Sequence, residues 1–274
     1  MPLTRTTEDP LYSTEESLRR VALLQLTSHP TLEGARSAVR AMLHFMSSSP
    51  ALAEEFSSAL ARPPLSLVAE PALRELLDHA EVEAREQGAF LLYRVGLSEQ
   101  ARARAIDALH RDSSPWVRSY MAKALALLGG GEIGPLLVEA LDNEATLEAQ
   151  SRVAEAIALM RDPQLAPTLK NLAEEVWEST LPTTVDDPQE HLRIATACGM
   201  FADALCAKLD PSLSNAKLVP GEQPDTWRYT SDSRGSLDLA GGTSYRGFAA
   251  KVNAKDMPTL MLPQDSPEAL ALLK

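Results

Sequence analysis

The chain has 274 residues and a formal charge of −12, from 26 Lys+Arg against 38 Asp+Glu, which is room for one large domain or two small ones. Hydrophobic residues make up 45% of it but aromatics only 5%. Ala and Leu supply roughly three-tenths of the positions, which points to helices and excludes a strand-rich protein. The acidic excess repels polyanions and argues against nucleic acid or an anionic membrane as the partner of the whole chain.

In chain order, helical periodicity appears first over Thr14 to Thr27, with Ser13 or Thr14 as cap and Leu18, Val21, Ala22 and Leu24 on one side. A second helix is expected over Thr31 to Met46 and a third over Ala51 to Ala61, stopped by Arg62-Pro63-Pro64. Glu70-Pro71 reads as the start of a fourth, with proline at the first position, running to about His79. Cys198 and Cys206, eight apart on a predicted helix, stand about 12 Å apart and cannot bridge to each other. The first ten residues lack the apolar core of a secretory signal, and no stretch of about 18 apolar residues occurs. The expectation is a cytoplasmic protein.

From residue 88 the pattern repeats. Gly88-Ala-Phe-Leu-Leu-Tyr-Arg-Val-Gly96, Met121-Ala-Lys-Ala-Leu-Ala-Leu-Leu-Gly129 and Val153-Ala-Glu-Ala-Ile-Ala-Leu-Met-Arg161 lie 33 and 32 residues apart. Each ends one helix, and each precedes a second: Glu99 to His110, Glu132 to Leu141 and Gln164 to Glu175. Ile106-Asp-Ala-Leu109 is matched by Val138-Glu-Ala-Leu141, and Thr168 to Leu172 fills the third slot. Two-helix units with a period in the thirties are the mark of an α-solenoid, because one pair cannot cover its own apolar stripe. Small residues such as Ala122, Ala124, Ala154 and Ala156 let the helices approach closely.

Asp112-Ser-Ser-Pro115-Trp-Val117-Arg118-Ser-Tyr-Met-Ala122-Lys-Ala-Leu125 resembles the first helix of a HEAT repeat of the short bacterial, phycobilisome-lyase-like type. The Arg slot is Arg85 in the preceding unit and Gln150 in the following one, and the Asp slot falls on His79, beside Asp78, and on Glu144. The resemblance covers about residues 78 to 180, with the N-terminal helices and Gln189 to Leu209 as degenerate units. It implies an all-α, right-handed superhelix of stacked helix pairs and an interaction scaffold or adaptor. Asp112 is placed to cap the helix beginning near Pro115, whereas Arg118 in the first turn opposes the helix dipole. We therefore expect Arg118 to bond a carboxylate or a turn carbonyl of the adjacent unit.

After Asp210-Pro211 the character changes. Residues 211–274 carry seven basic and seven acidic residues, so the net charge lies wholly in 1–210, with 19 basic against 31 acidic. The expected organisation is a helical solenoid over 1–210 and an irregular Gly/Ser/Pro-containing extension over 211–274, docked on it. Trp227, Tyr229, Tyr245 and Phe248 concentrate aromatics in that extension, which suits docking on the solenoid or on a partner.

Chemical motifs are sparse. None of His29, His44, His79, His110 and His191 is followed by Glu, which speaks against the His-Glu ligand pairs of HEAT-fold di-iron hydroxylases. His191, Cys198 and Cys206 could share a helix face, but free Cys is most often a small buried hydrophobe. Gly129-Gly-Gly131 lacks the Lys-Ser/Thr of a phosphate loop and reads as a turn between helices. Glu15-Glu16, Glu54-Glu55, Glu174-Glu175 and Asp186-Asp187 read as solvated charge. HEAT-like DNA glycosylases imply a basic groove with aromatics; here Trp116 and Trp177 stand among acidic helices. The one basic run, Arg102, Arg104, Arg111 and Arg118, is either an anion site or a salt-bridged helix face. Bilin lyases share the short repeat type, so a tetrapyrrole lyase-like or chaperone-like enzyme is the alternative to a scaffold. No catalytic residue, metal or cofactor is expected. A basic protein partner is expected on a concave face lined by the second helices, through Arg102, Arg104, Glu139, Lys170 and Glu174, with Trp227, Tyr229 and Tyr245 added by the extension.

Overall fold

The computed structural model describes residues 9–13, 15–178, 188–214, 217–220, 226–231, 235–242, 251–252 and 258–263, and for 177–178, 188–197 and the segments after 214 it describes the backbone path only. The chain forms two compact units, Met1–Leu128 and Gly129–Lys274.

The first unit holds α1 (Glu16–Ser28), α2 (Leu32–Met46), α3 (Pro50–Leu60), α4 (Ser66–Glu75), α5 (Val82–Val95), α6 (Arg102–Arg111) and α7 (Pro115–Leu128). Thr31 caps α2 by accepting the Gly34 N–H at 3.0 Å, which is why that helix begins where its sequence predicts. Helix α5 packs on both α4 and α7, and α6 packs on α7. The core between them is built from Ala and Leu: Ala84, Ala89, Leu91, Leu92, Ala105, Val117, Met121, Ala122 and Leu125 are inaccessible to solvent. At roughly 1.5–3 kcal/mol for each fully buried large side chain, this stacking supplies the cohesion that one helix pair lacks.

Gly88 sits where α5 crosses the 3-10 turn Leu76–Asp78. A Cβ there would come within 2.5 Å of the Leu76 Cβ, so glycine permits the approach. Between α7 and the next helix, Gly129 and Gly130 take positive φ values of 77° and 114°. That is a turn geometry suited to glycine and matches the turn read from the sequence.

Two N-terminal expectations are corrected. Pro71 does not open a helix; it lies inside α4, which starts five residues earlier. The turn after Pro63-Pro64 starts the helix, with the Ser66 N–H bonded to the Arg62 carbonyl at 3.1 Å. Leu65, Ala69 and Leu73, four apart, are all fully buried. Their burial outweighs the roughly 3 kcal/mol of an internal proline. On α1, the buried side is Arg19, Ala22 and Leu23, while Leu18, Val21 and Leu24 are 49%, 54% and 58% exposed. Only Ala22 of the expected stripe is buried, because α1 turns inward the side that carries Arg19, Ala22 and Leu23. The N-cap is Glu15, which makes no side-chain capping bond.

The second unit holds α8 (Ile133–Asn143), α9 (Leu147–Leu159), α10 (Ala166–Glu178) and α11 (Pro188–Leu209), followed by β1 (Lys217–Pro220), β2 (Thr226–Ser231), β3 (Gly235–Gly242), β4 (Lys251–Val252) and β5 (Pro258–Pro263). Helix α8 packs on α9, and α11 packs on both α9 and α10. Thr146 caps α9 through its Oγ1, the position 32 residues after Ser114, which performs the same task for α7. Ala154 and Ala156 are fully buried, as the close-packing reading requires.

The helical region agrees with the expected all-α repeat architecture. The extension, in contrast, is not simply irregular. Its strands form one sheet in the order β1-β2-β3-β5-β4, antiparallel except for the parallel β3/β5 pair. Trp227 stands opposite Leu239 and Tyr229 opposite Leu237. Strands β1, β3 and β5 lie against α11. The strand signal was present in the alternation Thr226-Trp-Arg-Tyr-Thr230 and Leu237-Asp-Leu239, but glycine and serine around it hid the period. Tyr245, Phe248, Asp186 and Asp187 lie outside the described residues.

Candidate functional site

Arg118 bonds turn carbonyls, as expected, but those of its own leading turn rather than of the adjacent unit. Its Nη1 donates to the Asp112 carbonyl at 2.8 Å and to the Ser113 carbonyl at 3.3 Å. Asp112 ends α6 and heads the repeat to which Arg118 itself belongs, so the bond fastens α7 to the turn that leads into it. Arg85 repeats the pattern, donating from Nη1 to the carbonyls of His79 and Ala80, both at 3.1 Å. It then adds a fork to the head of the next helix pair: Nε to Asp112 Oδ2 at 2.8 Å and Nη2 to Asp112 Oδ1 at 3.2 Å. The Asp112 hydrogen bond raises the Arg85 pKa above its ordinary value.

Arg19 is a third member that the sequence reading missed. Its Nη1 donates to the Ser13 carbonyl, again six residues back, at 3.0 Å, and its Nε donates to Glu55 Oε2 at 3.0 Å. The available signal was an arginine one turn into a first helix, without the Asp-x-x-Pro lead that marks residue 112. One repeat after Asp112, Glu144 places a buried carboxylate in the equivalent slot.

Asp112 also orders its own turn. Its Oδ1 accepts the Ser114 N–H at 2.9 Å, while the Ser114 hydroxyl donates to Glu86 at 2.6 Å and accepts from the Trp116 N–H at 3.2 Å. The cap on α7 is therefore Ser114, with Asp112 holding the approach to it.

The basic run on α6 is a salt-bridged surface. Arg102 donates to both carboxylate oxygens of Glu99 at 2.7 Å, and this bond lowers the Glu99 pKa. Arg104 bonds the Leu77 carbonyl at 3.0 Å and contacts Asp78 and Asp107, and Arg111 reaches Asp107 at 3.2 Å. Arg104 and Arg85 thus grip the same turn, residues 77–80, from two helices. The other sequence candidates fall elsewhere: Glu139 is exposed on α8, and Lys170 and Glu174 face each other on α10 at 3.9 Å, both reaching solvent. Trp227 and Tyr229 lie on β2.

A second group missed in the sequence is aromatic. Tyr120 on α7 stands at 5.4 Å from Phe90, 6.1 Å from Tyr93 and 6.2 Å from Trp116, ring centre to ring centre, and the Arg94 guanidinium lies 5.8 Å from the Phe90 ring. Spacings of three and four along α5 and α7 place these rings together. Cys198 and Cys206 are both buried and free. Burial pushes each thiol up to about 11, against a weaker opposing hydrogen bond from Ser151 at Cys198.

Among the described residues no three His, Cys, Asp or Glu side chains gather as a metal site, and no helix is long and apolar enough to cross a membrane. The family model for HEAT repeats matches residues 102–181. This stretch, from α6 into the residues after α10, carries HEAT repeats; no curated protein matches the chain.

Proposed function

We propose that the chain is a non-catalytic scaffold or adaptor that holds a protein partner against the second helices of its HEAT pairs. The observation that carries this reading is the HEAT-repeat match over residues 102–181, which begins just after a helix pair tied to the next by the Arg85–Asp112 bond. In such a repeat the first helices are consumed by stacking, and the outward sides of the second helices are left for recognition. Glu139, Lys170 and Glu174 supply side chains that reach solvent on α8 and α10. Arg102 and Arg104 hold the α6 surface in place while taking part in the contact. The surplus of acidic residues before 211 favours a basic partner and raises its association rate. The extension, whose strands β1, β3 and β5 lie against α11, is assigned the role of capping the helical repeats, with Trp227, Tyr229 and Tyr245 as its candidate contact residues.

The test is affinity purification from the native cell with wild type, the double charge reversal Glu139→Lys/Glu174→Lys, and a chain ending at residue 210. Circular dichroism and melting temperature identify which variants fold. A partner captured by wild type and lost on charge reversal of a folded variant supports the reading. A partner retained equally by all folded variants overturns the second-helix surface. No partner, together with a coloured complex on incubation with bilins or haem, overturns the scaffold in favour of a tetrapyrrole-handling protein.

A further inference from the structure

We draw no further inference here: the strongest candidate, the solvent-facing apolar stripe Leu18, Val21 and Leu24 on the outer side of α1, carries nothing because nothing in the structure shows what covers it.

Discussion

Arg85 and Asp112 form a two-pronged ion pair across successive helix pairs, with side chains only 13% and 7% exposed. The guanidinium also holds two carbonyls of its own leading turn, and the carboxylate also holds the Ser114 N–H. Removing one partner therefore strands the other charge in a nearly dry site. Asp112→Ala is expected to cost about 3 kcal/mol, toward the level of a broken buried pair. Asp112→Asn keeps an acceptor for Ser114 and costs less. Urea unfolding of Asp112→Ala, Arg85→Ala and the double variant measures the coupling; a coupling energy near zero would show that the pair aligns nothing.

Arg118→Ala removes donors from two turn carbonyls at the head of α7. The expected loss is about 1 kcal/mol, read as a lowered melting temperature. An unchanged melting temperature contradicts the role assigned to this arginine.

Gly88→Ala forces a methyl group to within 2.5 Å of the Leu76 Cβ. Both atoms are fixed close to the backbone, so the helix itself must shift, at a cost of about 1–3 kcal/mol. Gly131→Ala is the control: nothing lies within 4 Å of its added Cβ, and the change is expected to be neutral or stabilising by about 0.5 kcal/mol. Equal effects from the two substitutions would refute the close approach.

Native protein at pH 8 is expected to react slowly with a thiol reagent such as DTNB and to release two equivalents rapidly once unfolded, since both cysteines are buried. The same burial gives a pH dependence. The native thiols ionise near 11, above the ordinary 9.0, so the unfolded chain loses its protons first. Stability is full below about pH 9 and falls as pH rises from there to about 11. Replacing both with Ala would flatten that decline; a decline that persists unchanged belongs to other groups.

The repeat architecture was legible in the sequence because its determinants are local and periodic. The recurrence of 33 and 32 residues from Gly88 to Met121 and Val153 reports a stripe that each pair must share with the next. The same logic gave close packing at Ala122 and Ala154, the bond from Arg118 to a turn carbonyl, and the inability of Cys198 and Cys206 to bridge. Strand formation after residue 216 was local as well, yet its short alternations were masked by the glycine and serine around them.

Tertiary structure decided what depends on which side of an element is covered. Periodicity placed Leu18, Val21 and Leu24 together on α1, but it could not tell a buried stripe from an exposed one; the side turned inward carries Ala22, Leu23 and Arg19, the last paired with Glu55. Proline at residue 71 looked like a helix start because local cost favours that position, and the burial of Leu65, Ala69 and Leu73 overrode it. In the basic run on α6 the pairs with Glu99 and Asp107 are local, but the bonds of Arg104 to Leu77 and Asp78, 27 and 26 residues away, came only from packing. Sequence by itself sets propensity and period along the chain. Which side chains find a partner across it is a property of packing, and that is where the arginine bonds between repeats and the aromatic group around Tyr120 come from.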